Sequence, residues 1–370
     1  MSATRLGVRH ALVGDALVAG DVSVDDGRIA AVGVRPAGGR GLAAPGFVDL
    51  QVNGFAGVDF LAAGSDDYPG AGVALAATGV TAYLPTFITA PEDAYLPALR
   101  AAAAAARAGA PGPRILGVHV EGPFLSPAWP GAHDPRRLLD PDLALVDRLR
   151  EAGDVALMTL APERPGGLEL IGELTQRGIV VSCGHSDADA AQAHAAFDAG
   201  ARAITHVHNA HRRWGHRDPG LGGVALVRPD VAVQAIVDGV HLAPEAAAAA
   251  FLAAGPRFSL VTDAMAAAGL GDGTYQLGGR EVRVEGARAQ LADGTLAGSV
   301  LTMDAAVRNL VELGATETQA LLAATRAPAR LLARIDVGEL APGAAADVVV
   351  LDDRLEVRAT YVGGEAVFAG

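Results

Sequence analysis

Lysine is absent from this 370-residue chain, so its 29 Lys-or-Arg positions are all Arg. That absence removes three kinds of site: a phosphate-loop lysine, a Schiff-base lysine and a lysine that bridges two metal ions. Cysteine is nearly absent. The single Cys183 excludes an intrachain disulfide and any CxxC zinc or redox motif, which fits a reducing compartment. Long apolar runs are missing too. AAAAAFLAA, residues 246 to 254, falls well short of a membrane span of ~20 residues, and the opening MSATRLGVRH lacks the apolar core of a signal peptide. Basic charge is also scarce, with 42 acidic side chains leaving a net charge of −13, the wrong sign for a general nucleic-acid binder. These absences predict a cytoplasmic protein with no nucleic-acid or membrane partner.

What is present is apolar. Hydrophobic residues make up 51% of the chain and charged residues 19%, enough to bury a large core. Short apolar segments at residues 46 to 54, 81 to 87, 114 to 122, 155 to 163, 178 to 186, 201 to 210, 231 to 241 and 258 to 264 read as eight strands. Ala-rich helical stretches separate them, most ending at Gly. Eight such units predict the α/β class and a closed, TIM-like (β/α)₈ barrel. Both termini instead show period-2 alternation, with Gly363-Gly364 as a hairpin turn. Neither end buries a face alone, so residues 1 to 44 and 337 to 370 are expected to form one small β-sandwich domain, with the barrel over 45 to 336. A further strand-like stretch over 275 to 298 predicts a hairpin near the barrel mouth.

In such barrels the reacting groups sit where the strands end. Strand three ends with His119 and Glu121, strand five with His185, strand six with His206, His208 and His211, strand seven with Asp238 and His241, and strand eight with Asp263. Any one of these His alone reads as a satisfied loop residue, but together they mark a site. Glu121, His185 and His206, from three strands, are a donor set suited to one catalytic Zn²⁺ or Fe²⁺ with an open position. Asp263 is placed as general acid–base or as a helix cap.

The flanking motifs carry a resemblance. APGFVDLQVNGFAGVDF (44 to 60), GVHVEGPFLSPAWPGAHDP (117 to 135), CGHSDA (183 to 188), THVHNA (205 to 210), RDPG (217 to 220), DGVH (238 to 241), VTDAM (261 to 265) and GTLAGSVLTM (294 to 303) resemble the N-acetylglucosamine-6-phosphate deacetylases of the amidohydrolase superfamily. The resemblance spans almost the whole chain. It implies hydrolysis of the acetamide of N-acetylglucosamine 6-phosphate by metal-activated water, with acetate leaving. It further implies Glu121, His185 and His206 as ligands of one divalent ion per subunit, Asp263 as proton shuttle and His133 as carbonyl polariser. Ala132, Asn209, Ala210, Asp238, His241, Leu296, Ala297 and Gly298 would line the sugar-phosphate pocket. His241 would hold the phosphate together with Arg217, which the resemblance brings from the second subunit of a homodimer.

Two departures stand out. Gln51 and Asn53 occupy the place of a metal-binding HxH pair, so with lysine absent a single metal ion is expected. His208 and His211 replace an apolar residue and a Met; His206 and His208, two apart on the expected strand, would face the same side as an HxH pair, so that His208 is either a second ligand or lies beyond the last strand residue. His211, with Arg212, Arg213 and His216, enriches that loop in positive charge, which fits either a basic entrance for phosphate or a solvated loop. The alternatives are the same reaction on N-acetylgalactosamine 6-phosphate, a C4 epimer, and a non-catalytic barrel scaffold.

Overall fold

Parallel strands buried on both faces need apolar residues almost throughout, and the middle of the chain supplies them. In the computed structural model, which describes residues 3–109 and 112–370, eight such strands form one ring. They are β1 (Phe47–Val52), β2 (Val80–Phe87), β3 (Val118–Glu121), β4 (Val155–Leu160), β5 (Val180–Cys183), β6 (Ala203–Ile204), β7 (Ala232–Ala235) and β8 (Phe258–Leu260). Each pairs in parallel with the next. Just beyond β8, Ala264 bridges to Val52 and its carbonyl accepts from the Asn53 amide at 2.7 Å, which brings the last strand back to the first. Helices follow the strands: α1 (Tyr68–Ala76), α2 (Glu92–Ala108), α3 (Leu143–Ala152), α4 (Gly167–Gln176), α5 (Ala190–Ala199), α6 (Gly220–Val227), α7 (Pro244–Ala254) and α8 (Met303–Glu312). Local chemistry fixes their ends. Gly109 closes α2 in the left-handed region at φ 61°, and Asp189 and Gln192 cap the start of α5 reciprocally. Among the described residues no helix is long and apolar enough to cross a membrane.

The strands are shorter than the sequence suggests, and the shortfall lies at the mouth. Residues 201 to 210 contain only Ala203–Ile204 as strand. His185, His206, His208, Ala210 and Asp263 all have positive φ, between 31° and 70°, which ends the extended backbone. Strand alternation therefore does not reach His208. The expected HxH pair of His206 and His208 is not formed: His208 turns towards α6, with its ring beside Gly222.

Below the mouth the barrel interior is polar. His119 Nε2 lies 2.8 Å from Thr159 Oγ1, which is 2.7 Å from Thr205 Oγ1, itself 2.6 Å from Ser182 Oγ. His119 thus belongs to a hydroxyl network, and burial lowers its pKa to about 4.

The terminal segments pair with each other. One antiparallel-rich sheet runs in the order Glu365–Ala369, Val357–Val362, Val348–Leu351, Leu42–Pro45, His10–Val13, Ala16–Ala19. A second joins Thr4–Arg5, Asp21–Asp25 and Arg28–Val34. Val8, Val22, Ile29, Ala43 and Val348 share one buried apolar cluster between the two. Leu42–Pro45 is one continuous strand, so the expected boundary at residue 44 falls inside it; residues 1 and 2 of the expected domain lie outside the described residues. Gly363 and Gly364 turn the last hairpin with φ of 56° and 81°, as a type I′ turn requires. Gly273–Leu277, Arg280–Glu285 and Arg288–Gln290 form a three-stranded sheet over one side of the barrel mouth.

Candidate active site

The ends of every barrel strand but β4, with the loops that follow them, converge on a cavity of about 410 Å³ at the carboxyl end of the barrel. Glu121 ends β3; His185 and His206 sit two residues past β5 and β6, turned inward by their left-handed backbone. Each offers a donor atom within 4.8 Å of the others. Glu121 Oε1 is 3.2 Å from His185 Nε2 and 3.0 Å from His206 Nε2.

The tautomers can be read from the partners. His185 Nδ1 is 3.0 Å from the Trp129 carbonyl, which only accepts, so Nδ1 carries the hydrogen and Nε2 presents a lone pair to Glu121. Two acceptors facing each other need a cation between them. Burial, then the neighbouring His133, lowers His185 to about 4. Burial pushes His206 down as well, but Glu121, with Asp263, outweighs burial and leaves it above the ordinary His range. Glu121 is held well below the ordinary carboxylate range: burial raises it, and His133, His185 and His206 outweigh burial. The donor set fits a divalent cation, whose binding would displace a proton.

His133, from the loop after β3, accepts at Nδ1 from the Thr89 amide at 3.1 Å. Its Nε2 therefore bears the hydrogen and faces the site, 3.7 Å from Glu121 Oε2. Asp263 lies opposite. Its Oδ1 accepts from Gln51 Nε2 at 3.0 Å and Asn53 Nδ2 at 2.7 Å, while Oδ2 has no protein partner among the described residues. Gln51 Nε2 also reaches Glu121 Oε1 at 3.1 Å. Burial, then the Glu121 charge, raises Asp263 to about 6.

The cavity wall includes Ala132, Asn209, Ala210, His241, Leu296 and Gly298. Asp238 and Ala297 do not line it. Asp238 instead holds His241, with Oδ2 2.7 Å from Nδ1, and Ala297 is buried beneath the wall. Arg217 is exposed and outside the cavity of its own chain, and makes no ion pair among the described residues; Asp218 is taken by Arg212 at 2.8 Å. His211 is buried rather than part of a basic entrance.

Sequence reasoning missed Thr89, which sets the His133 tautomer, and Arg280, whose guanidinium donates to the Ala132 carbonyl at 2.8 Å and so ties the mouth sheet to the site. Neither has a motif: Thr89 meets His133 Nδ1 with both its amide and its hydroxyl, the latter 2.8 Å away, and Arg280 meets a backbone carbonyl, pairings that only the fold brings about.

A description of the amidohydrolase family matches residues 42–367. The chain belongs to the amidohydrolase family. This amidohydrolase is 43% identical to the N-acetylglucosamine-6-phosphate deacetylase of Bos taurus, over 88% of this chain and 83% of that one. It is 40% identical to the N-acetylgalactosamine-6-phosphate deacetylase of Escherichia coli O157:H7, over 88% and 87%. Among solved structures it superposes with a TM-score of 0.93 on a mutant N-acetyl-D-glucosamine-6-phosphate deacetylase from Mycobacterium smegmatis in complex with N-acetyl-D-glucosamine-6-phosphate, 37% identical and covering 100% of both chains.

Proposed function

We propose that this amidohydrolase hydrolyses N-acetyl-D-glucosamine 6-phosphate to D-glucosamine 6-phosphate and acetate, in the cytoplasm, as a homodimer. The supporting observation is that the His133 Nε2–H and the free Oδ2 of Asp263 flank the Glu121, His185 and His206 donor set in one cavity. The barrel, residues 45 to 336, carries this chemistry, and segments 1 to 44 and 337 to 370 form an accessory unit. Glu121, His185 and His206 would hold one Zn²⁺ or Fe²⁺ per chain, whose Lewis acidity makes a water nucleophilic near neutral pH and draws charge from the acetamide carbonyl.

The chain's own groups do the rest. Asp263 Oδ2 takes a proton from the attacking water as the new C–O bond forms, and returns it to the sugar nitrogen as the C–N bond breaks. Gln51 and Asn53 hold Oδ1 and so fix which oxygen works. His133 donates its Nε2–H to the carbonyl oxygen as charge develops there. Ala132, Asn209, Ala210, Leu296, Ala297 and Gly298 shape the sugar pocket from its wall and from behind it. His241, oriented by Asp238, meets the phosphate, and the exposed Arg217 of the second subunit completes that contact with its planar fork.

Acetate release from N-acetylglucosamine and N-acetylgalactosamine, each with and without the 6-phosphate, tests the reading. The 6-phosphate of N-acetylglucosamine should be the best substrate. Arg217→Ala should cost about 30-fold to several thousand-fold on phosphorylated sugar alone, the effect of removing one partner of a desolvated charge pair. Mixing Arg217→Ala chains with inactive Asp263→Asn chains should restore activity, because one shared site then has both groups. Equal use of both N-acetylglucosamine forms would overturn the phosphate assignment. Preference for the galacto epimer, to which the E. coli relative's name points, would replace the substrate and leave the chemistry. No acetate from any of the four would favour the silent scaffold, which the intact donor set argues against.

A further inference from the structure

An imidazole that ligates an ion through one nitrogen keeps a hydrogen on the other, and that hydrogen needs an acceptor, since a buried unpaired donor costs on the order of 1–3 kcal/mol. His185 satisfies this with the Trp129 carbonyl. His206 does not. Its Nε2 faces Glu121, while its Nδ1 is buried without a hydrogen-bond partner. Its own backbone carbonyl favours the charged ring but lies outside hydrogen-bond geometry.

His211 has the complementary deficiency. It is 3% exposed, and its Nε2 lies 3.0 Å from the Thr205 carbonyl. A carbonyl only accepts, so Nε2 carries the hydrogen and Nδ1 is left with a lone pair; that Nδ1 is also buried without a partner. The two rings are neighbours, with centroids 5.9 Å apart and planes tilted by 37°. An unused donor and an unused acceptor thus lie on adjacent rings in one wall of the site.

The backbone around His211 is well anchored. The Arg212 amide donates to the Ser186 carbonyl at 2.9 Å and the Ser186 amide to the Ala210 carbonyl at 3.2 Å, so His211 is stitched to the loop that carries His185. The imidazoles of His206, His185 and His208 lie near it.

We propose that His211 is a positioning residue for the metal ligand His206, its Nδ1 accepting the His206 Nδ1–H through one bridging water. A water between two buried polar groups serves nearly as well as a direct bond. The contact fixes the His206 tautomer and ring plane, so that the Nε2 lone pair points at the ion, and it makes that nitrogen a stronger donor. The inference rests on the metal-centre reading above.

The test is Zn²⁺ affinity of the purified protein, measured by competition with a chromogenic chelator. His211→Phe keeps a ring and removes both nitrogens; it should bind Zn²⁺ about 10- to 100-fold more weakly, the usual effect of losing such an outer partner. The thermal midpoint of the metal-free protein should fall no further in His211→Phe than in His211→Gln. That second variant should recover most of the affinity, because an amide carries an acceptor and a donor spaced like the two ring nitrogens. In the Zn²⁺-loaded wild type, ¹⁵N shifts should show hydrogen on Nδ1 of His206 and none on Nδ1 of His211. Wild-type affinity in His211→Phe, or hydrogen on Nδ1 of His211, overturns this inference alone; a wild type that binds no Zn²⁺ overturns the metal centre and the inference with it.

Discussion

The two walls of the cavity are built from different chemistry. On one, β3, β5 and β6 deliver a carboxylate and imidazoles, whose protons can sit on either nitrogen and whose charge depends on neighbours. On the other, β1 and β8 deliver the Gln51 and Asn53 amides and Asp263, and an amide donates without titrating. The contrast separates two tasks. On the proposed reading the imidazole wall would gather lone pairs around a cation, whereas the amide wall pins one oxygen of the Asp263 carboxylate and would leave the other to move a proton. An HxH pair in place of Gln51 and Asn53 would have made both walls suited to a cation.

Removing the imidazole wall's anionic centre should have the largest effect. Glu121→Ala or His185→Ala should lose both bound metal and turnover, checked by metal analysis of the purified protein beside an acetate assay; retained metal in either would show that the donors lie elsewhere. One wall over, Asp263→Asn should keep its metal and lose on the order of 10²-fold or more in kcat, as for a positioned acid–base group. Near-normal kcat would reduce Asp263 to a structural residue and erase the division of labour. A milder change sharpens the comparison: Asn53→Ala removes one of the two donors on Oδ1 and should lower kcat about tenfold, roughly one hydrogen bond to a charged group, with metal content unchanged. If metal is lost instead, the amides serve the cation and the two walls are not distinct.

The smallest effect on turnover belongs to Asp49, two residues before Gln51 on the same strand. Burial, opposed by Thr262 and backbone amides, raises its pKa to about 7. The unfolded chain releases this proton near pH 4 and the folded one only near pH 7, so the folded state binds more protons between them. Stability therefore falls as pH rises through that window, by about 4 kcal/mol for a shift of this size. Asp49→Asn mimics the protonated form and should flatten that part of the curve in chemical denaturation at pH 5 and pH 8, with turnover little changed. An unaltered curve would show that Asp49 is ionised in the folded state.

Much of this architecture is legible before folding. Eight βα units and the alternating termini follow from periodicity, and the candidate metal ligands follow from where chemistry-bearing residues cluster at strand ends. The amide wall was only half legible. Gln51 and Asn53 read as missing ligands, and their grip on Asp263 emerges only when the last strand returns to the first. His208 and His211 lie where periodicity cannot decide, for one reason. Periodicity assumes that a strand continues, and β6 stops at Ile204, so the left-handed turns at His206 and His208 send one imidazole towards α6 and seat the other in the core. No local pattern announces positive φ in a His.

Cys183, in β5 just ahead of His185, is fully buried, and burial raises its thiol far above the usual range. It is therefore inert to thiol reagents while the barrel is closed, and in a chain with no other cysteine every modification event counts an opening of that strand. Where reclosing outruns reaction, its labelling rate reports the free energy of opening at the centre of the fold. A divalent ion gripped by His185, two residues away, should slow that labelling in proportion to how tightly it is held.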